Sequence, residues 1–222
     1  MEKTVSAVLV AAGSSTRMGF DKLSFDLGGE TVLHRSIRAF AQCPQVTELV
    51  LVAGKNRDFV AQQAADCPKP VQIVAGGATR AESAKNGVLA AHGELVAVHD
   101  AARPFVSAAV ITAALEAAAR CGAAAPAVPV KDTIKVVKGG LVEKTPDRAT
   151  LQAVQTPQVF DFDLLRGALK KAEEEKAAVT DDCSAVERLG MKVKIVEGDE
   201  RNLKVTTPMD LKIAEMLLEE MQ

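Results

Sequence analysis

The chain has 222 residues, enough for one sizeable core, and ordinary domain sizes favour one domain over two. Hydrophobic residues make up 48% and charged residues 25%, the balance of a folded soluble protein rather than of a long disordered tract. Lys plus Arg number 27 against 29 acidic residues, and there is no Trp, no Tyr and only 7 Phe; the chain thus lacks both the global positive field and the aromatic faces that nucleic-acid binding uses, which excludes that class of partner.

The cysteines, Cys43, Cys67, Cys121 and Cys183, are far apart and have no paired metal-ligand spacing, so they read as reduced structural thiols. Residues 1–6 are too polar for a signal peptide, and no apolar run approaches the roughly 18 residues of a membrane-spanning helix. The expected address is cytoplasmic, with no membrane partner.

Along the chain, short runs rich in Val, Ile and Ala at Val5–Val10, Glu48–Ala53, Val71–Val74, Leu95–His99 and Ala123–Val128 read as strands. Helical patterns fill the gaps. Thr31 can cap a helix through Gln42, in which Val32, Leu33, Ser36, Ile37 and Phe40 repeat at helical spacing; Arg57–Ala65, Ala81–Ala91 and Ser107–Arg120 follow. Strand and helix in alternation imply parallel strands joined by right-handed crossovers. The expected fold is therefore α/β, a Rossmann-like three-layer sandwich around a mostly parallel twisted sheet, with residues 1–222 as a single domain.

The alternation breaks between Lys131 and Gln152, where Lys135–Lys138 and Leu141–Lys144 flank Gly139-Gly140 as an extended pair around a glycine turn. This predicts a projecting β-arm at about 131–152 with little to bury against its own domain, and so a homodimer packed through the arm. Helices at Asp163–Lys176 and Asp181–Leu189, a strand at Lys192–Val196 and a helix from Pro208 to about Glu219 complete the chain.

Ligands of open α/β sheets bind beyond the carboxyl ends of the strands, so the residues after each run are the candidates for chemistry. After the first strand comes Ala11-Ala12-Gly13-Ser14-Ser15-Thr16-Arg17-Met18-Gly19, a small-residue loop that lets backbone amides approach a phosphate, with Arg17 and Lys22 adding positive charge. It is neither the dinucleotide fingerprint nor the P-loop, and a turn that merely connects a strand to a helix is the alternative, against which Arg17 and Lys22 in the same loop weigh. Asp100 ends the buried run Leu95–His99, and a carboxylate there can hold Mg²⁺, which prefers oxygen ligands and phosphates; capping the next turn or pairing with Arg103 is the alternative.

The loop from Ala11 to Gly19 with Lys22 resembles the nucleotidyltransferase superfamily. Gly76-Gly77 with Arg80 and Ser83, His99-Asp100-Ala101-Ala102-Arg103-Pro104, Lys131-Asp132-Thr133, Gln155-Thr156-Pro157-Gln158, Thr180-Asp181-Asp182 and Asn202-Leu203-Lys204-Val205-Thr206 follow in order. Together they resemble the family of 2-C-methyl-D-erythritol 4-phosphate cytidylyltransferases of non-mevalonate isoprenoid biosynthesis, from about Val5 to Glu215. The loop departs from the family pattern at Ser15, where relatives usually carry a glycine, and at Asp21, where they carry a proline.

The resemblance implies an enzyme that joins CTP to the sugar-alcohol phosphate and releases pyrophosphate. Arg17, Lys22 and Lys204 would stabilise the transition state. Ala11, Ala12, Gly13, Ser14, Gly77, Arg80, Ser83, Asp100 and Ala101 would hold the nucleotide and its magnesium, Asp100 as metal ligand, Ser83 as a hydroxyl toward cytosine and Arg80 ordering the glycine loop. Arg103, Thr133, Arg148, Thr156, Thr180 and Lys204 would bind the sugar phosphate, with Thr133 and Arg148 supplied by the partner's arm. His99 reads as a structural neighbour.

Three rivals bear on this reading. A ribitol 5-phosphate cytidylyltransferase shares the loop and the His99-Asp100 motif and differs mainly in acceptor. A non-catalytic CTP sensor could dispense with one of Arg17, Lys22, Asp100 and Lys204, which are all present. A nicotinamide-dependent reductase needs a ribose-binding acid after the second strand, where the chain has Ala53-Gly54-Lys55.

Overall fold

The computed structural model describes residues 3–13 and 21–221. Ser14, Ser15 and Arg17 lie outside the described residues.

Strands β1 (Val5–Val10), β2 (Val46–Ala53), β3 (Val71–Ala75), β4 (Leu95–Asp100) and β5 (Ala123–Pro129) alternate with helices α1 (Val32–Ala41), α2 (Arg57–Gln63), α3 (Arg80–Leu89) and α4 (Ala108–Cys121). Strands β6 (Val136–Lys138), β7 (Leu141–Lys144), β8 (Gln152–Val154) and β9 (Gln158–Asp161) follow, then α5 (Phe162–Glu174), α6 (Asp182–Glu187), β10 (Lys194–Glu197) and α7 (Pro208–Glu220). The main sheet runs β10-β5-β9-β4-β1-β2-β3, with β8 beside β5. Pairings β1·β2, β2·β3, β1·β4 and β5·β10 are parallel.

Alternation along the strands builds the three layers. Ala7 and Leu9 of β1 with Leu49 and Leu51 of β2 face α1, α4 and α7, meeting Leu33, Ile37, Phe40, Ile111 and Leu211. Val8, Val50, Val52, Val96 and Val98 face the other way onto α3, α5 and α6, meeting Val88, Leu165 and Val186. A sheet buried on both faces needs apolar residues at every position, which explains the continuous Val, Leu and Ala runs. Thr31 caps α1 as its position predicts, its Oγ1 accepting from the His34 amide at 3.1 Å.

Two strands depart from the expected pattern. β9 enters the sheet antiparallel between β4 and β5, and β8 pairs antiparallel with β5. Each is three or four residues long, too short to carry a readable period, and β9 is recognisable only from the burial of Val159 and Phe160 that its central place imposes. Two terminal elements are shifted or shortened: β10 begins at Lys194, and α6 is confined to Asp182–Glu187.

The arm is a two-stranded ribbon, β6 with β7, outside the main sheet. Gly139 at φ 58° and Gly140 at φ 80° make its turn, both left-handed as a tight right-twisted hairpin requires. Val137, Leu141 and Val142 on this ribbon are exposed. Among the described residues no helix is long and apolar enough to cross a membrane.

Candidate active site

β1 is the switch point of the sheet: β2 follows on one side and β4 on the other, so the loops leaving β1 and β4 diverge and open a crevice at their carboxyl ends. A cleft of about 900 Å³ lies there. It is lined by the start of the phosphate loop (Ala12, Gly13), by Lys22, by Gly54, Lys55 and Asn56 after β2, by Gly77, Arg80 and Ser83 after β3, by Asp100, and by Lys204. Its described charged lining is Lys22, Lys55, Arg80 and Lys204 against Asp21 and Asp100, a net positive surface suited to a polyphosphate.

Asp100 ends β4 with its carboxylate between two cations. Lys204 Nζ stands 2.7 Å from Oδ2 and Arg80 Nε 3.3 Å from Oδ1. Burial alone would raise this carboxyl's pKa; Arg80, then Lys204 and Arg103, outweigh it and hold Asp100 ionised far below the ordinary carboxylate range. Arg80 also meets Asp182, its Nη2 2.8 Å from Oδ2. Asp182 is fully buried, and that burial pushes its pKa up against the pull of Arg80. The guanidinium of Arg80, expected to order the glycine loop, spans Asp100 and Asp182.

Within the glycine loop the side-chain bonds come from Ser83 and from Glu82, whose Oε2 accepts from the Ala78 amide at 2.8 Å. Ser83 Oγ accepts from the Gly77 amide at 3.0 Å and donates to the Thr79 carbonyl at 2.9 Å, so this hydroxyl is engaged within its own turn while still lining the cleft. Gly76 lies against the loop after β1: a Cβ there would fall 2.3 Å from Ala12 Cβ, so the two walls touch only because the residue is glycine. Asn56 fixes the opposite side, donating to the Ala11 carbonyl at 3.2 Å and accepting from the Gly54 amide at 3.1 Å.

The remaining sequence candidates divide by depth. Ala11 and Ala101 are buried and bonded through their backbones: the Ala11 amide to Val52, the Ala101 amide to Val10, and the Ala101 carbonyl to Ser36 Oγ. Thr156, expected at the sugar phosphate, is buried beneath the cleft, where its Oγ1 accepts from the Asp100 amide at 3.1 Å and lies 3.0 Å from His99 Nδ1. Arg103 donates to the Asn202 carbonyl at 2.6 Å. Thr180 lines a neighbouring recess of about 290 Å³ that shares Thr79 and Arg80 with the cleft. Thr133 and Arg148 sit on the exposed arm and do not line the cleft; Arg148 Nη1 donates to the Lys131 carbonyl at 2.8 Å.

His99 is fully buried with its ring centroid 4.8 Å from that of Phe40, and burial pushes its pKa down to about 3. A neutral imidazole with its proton on Nε2 satisfies the network: Thr156 Oγ1 donates to Nδ1, and Nε2 donates to the Arg103 carbonyl at 3.3 Å. The histidine thus sits under both Asp100 and Arg103, a structural place as expected. Sequence reasoning missed Lys55 and Asn56 as lining residues, and Asp182, Gln155 and Asn202 as buried polar supports. For the buried three, whose sequence neighbours are themselves mostly polar, no local signal distinguished them from exposed residues.

Magnesium suits this donor set, because Mg²⁺ is commonly held by one or two carboxylates together with substrate phosphates and water. Asp100 supplies an ionised carboxylate facing the cleft, and no cluster of three acidic, His or Cys ligands exists among the described residues to suggest an all-protein metal cage.

A mostly parallel sheet with a cation-lined cleft at its switch point and one acid at the central strand end defines a nucleotide-handling α/β protein. A model of the 2-C-methyl-D-erythritol 4-phosphate cytidylyltransferase family matches residues 5–220, and the chain belongs to that family. It is 47% identical to the protein of that name from Symbiobacterium thermophilum, over 99% of this chain and 95% of the relative. The corresponding Caldanaerobacter subterraneus protein is 45% identical over 96% of this chain and 98% of its own length. Among solved structures, the 4-diphosphocytidyl-2C-methyl-D-erythritol synthase of Anaerococcus prevotii superposes with a TM-score of 0.90 at 31% identity, covering 99% of this chain and 100% of that one.

Proposed function

We propose that this chain transfers the cytidylyl group of CTP to 2-C-methyl-D-erythritol 4-phosphate, giving 4-diphosphocytidyl-2-C-methyl-D-erythritol and pyrophosphate in non-mevalonate isoprenoid synthesis. The observation that carries the reading is the Asp100 carboxylate set between Lys204 and Arg80 at the end of β4, facing a cation-lined cleft, in a chain of this family.

The acceptor phosphate has a second pKa of about 6 and is largely dianionic at neutral pH, so its oxygen attacks without a general base. That oxygen forms a bond to the α-phosphorus as the bond to the β-phosphate bridging oxygen breaks, and pyrophosphate leaves with the electron pair. The barrier is repulsion between two anions, so the protein's part is positioning and positive charge. Lys22 and Lys204, with Arg17, supply that charge, and Gly77 and the Ser83 turn present backbone groups to the cytosine edge. Arg103 and Thr180 take the sugar phosphate, and Thr156 supports Asp100 from below. Mg²⁺, held by Asp100, would screen the triphosphate and polarise its phosphoryl oxygens.

We further propose that the chain works as a homodimer in which Thr133 and Arg148 of the arm reach the partner's cleft. The exposed Val137, Leu141 and Val142 support this, since a two-stranded ribbon gains little stability alone. The unpaired cysteines and the missing membrane helix, among the described residues, support a cytoplasmic address.

Incubation with CTP labelled at the α-phosphate tests the reaction. The label is expected in the sugar-linked product and the unlabelled β- and γ-phosphates in pyrophosphate. Label recovered in CMP and no sugar product would reject the transfer. Label transferred to ribitol 5-phosphate but not to methylerythritol phosphate would assign the sister activity.

A further inference from the structure

Beneath the cleft, the segment 199–206 crosses the loops that follow β4 and β8. Asn202 stands at the crossing with no exposure, its Nδ2 donating to the Thr156 carbonyl at 2.9 Å and to Gln155 Oε1 at 3.3 Å. Gln155, itself buried, bonds Asp199 at both backbone atoms, Nε2 to the carbonyl at 2.8 Å and Oε1 from the amide at 3.3 Å. The Asn202 carbonyl accepts the 2.6 Å bond from Arg103 Nη1. One residue beyond Lys204, the Val205 amide donates to the Ala102 carbonyl at 2.9 Å, and Lys204 reaches Asp100.

From this we infer that Asn202 is a positioning residue: it ties the 199–206 segment to the Gln155-Thr156 turn, and thereby fixes Arg103 and Lys204 relative to Asp100. The inference rests on the proposed cytidylyl transfer. Asn202 touches no reacting atom. It acts through two cations whose placement sets the geometry of acceptor and transition state, and small displacements of such groups are costly. An amide is suited to the position because Nδ2 must donate to two oxygens, which a carboxylate cannot do.

The test is steady-state kinetics of Asn202→Ala and Asn202→Asp, with CTP binding measured separately at equilibrium and melting followed for each variant. Both are expected to raise KM for methylerythritol phosphate and lower kcat, each by at least about tenfold, while CTP affinity stays within about twofold. Combined with Arg103→Ala, the Asn202→Ala change is expected to raise that KM no further than Arg103→Ala alone. Unaltered kinetics in folded Asn202→Ala, or an activity loss matching a smaller folded fraction with unchanged KM, would overturn the inference, as would a further rise in the acceptor KM in the double variant. Should Asn202→Ala not fold, Gln155→Met is expected to give the same split. Failure of that variant to fold or to show the split would mark the network as structural and end the proposal. A wild-type protein silent with this substrate pair would reject the functional reading itself, and the inference with it.

Discussion

His99 has a pKa of about 3 in the folded chain against 6.5 for a free imidazole, because burial opposes its charged form. Its folded pKa is depressed, so below 6.5 the unfolded state binds a proton that the native state refuses, and stability falls as pH falls through that window. From pH 6.5, where the unfolded imidazole is already half protonated, to pH 5 this amounts to about 1–2 kcal/mol. Denaturant unfolding at the two pH values is expected to show this loss in the wild type and much less of it in His99→Gln. Lys204→Ala, removing a cation beside the proposed reacting phosphates, is expected to cost roughly 4 kcal/mol of transition-state stabilisation, about 10³-fold in turnover, at near-native melting temperature. Asp100 was legible because it is charged and ends an apolar strand, Lys22 because it adds charge to the loop that follows one, and Arg80 and Lys204 from the motifs shared with the family. Lys22, Arg80, Asp100 and Lys204 were all readable, and they line one cleft. The partnership of Arg80 with Asp182 was not: it joins the start of α3 to the start of α6, and nothing local to either segment encodes it.

At the scale of elements, strands and helices with long apolar periods were readable, and β8 and β9 were not, since three or four residues carry no period and pairing in the sheet alone defines them. Packing depends on one further detail that pattern does not reveal. Gly87 in α3 faces β1 and β2 so closely that a Cβ would stand 2.4 Å from Val8 Cγ1 and 2.6 Å from Val52 Cγ2. Both neighbours are stiff at χ1, so neither yields easily. Gly87→Val is expected to destabilise by about 2–3 kcal/mol through overpacking, despite the poor helix propensity of glycine, as read by urea unfolding. Trimming the obstruction with Val8→Ala is expected to recover part of that loss.

For the whole molecule, the arm decides whether a site is built from one chain or two. Its hairpin was legible from Gly139-Gly140, whereas its partner is a matter of the exposed Val137, Leu141 and Val142. Replacing Leu141 and Val142 by Lys is expected to give monomers in sedimentation. If Arg148 serves the partner's cleft, co-expressed Arg148→Ala and Lys204→Ala chains, each inactive alone, regain about a quarter of wild-type turnover. Half of randomly paired dimers are then mixed, and each mixed dimer keeps one intact site. No recovery would place Arg148 outside the partner's site. The claim beneath all of this is cytidylyl transfer, and it is tested most directly by pyrophosphate release with Mg²⁺. Each nucleoside triphosphate is supplied in turn with methylerythritol phosphate or ribitol phosphate. Release confined to CTP with methylerythritol phosphate, and lost in Lys22→Ala, is the predicted result; a folded, CTP-binding protein that releases none with any pair would contradict the account.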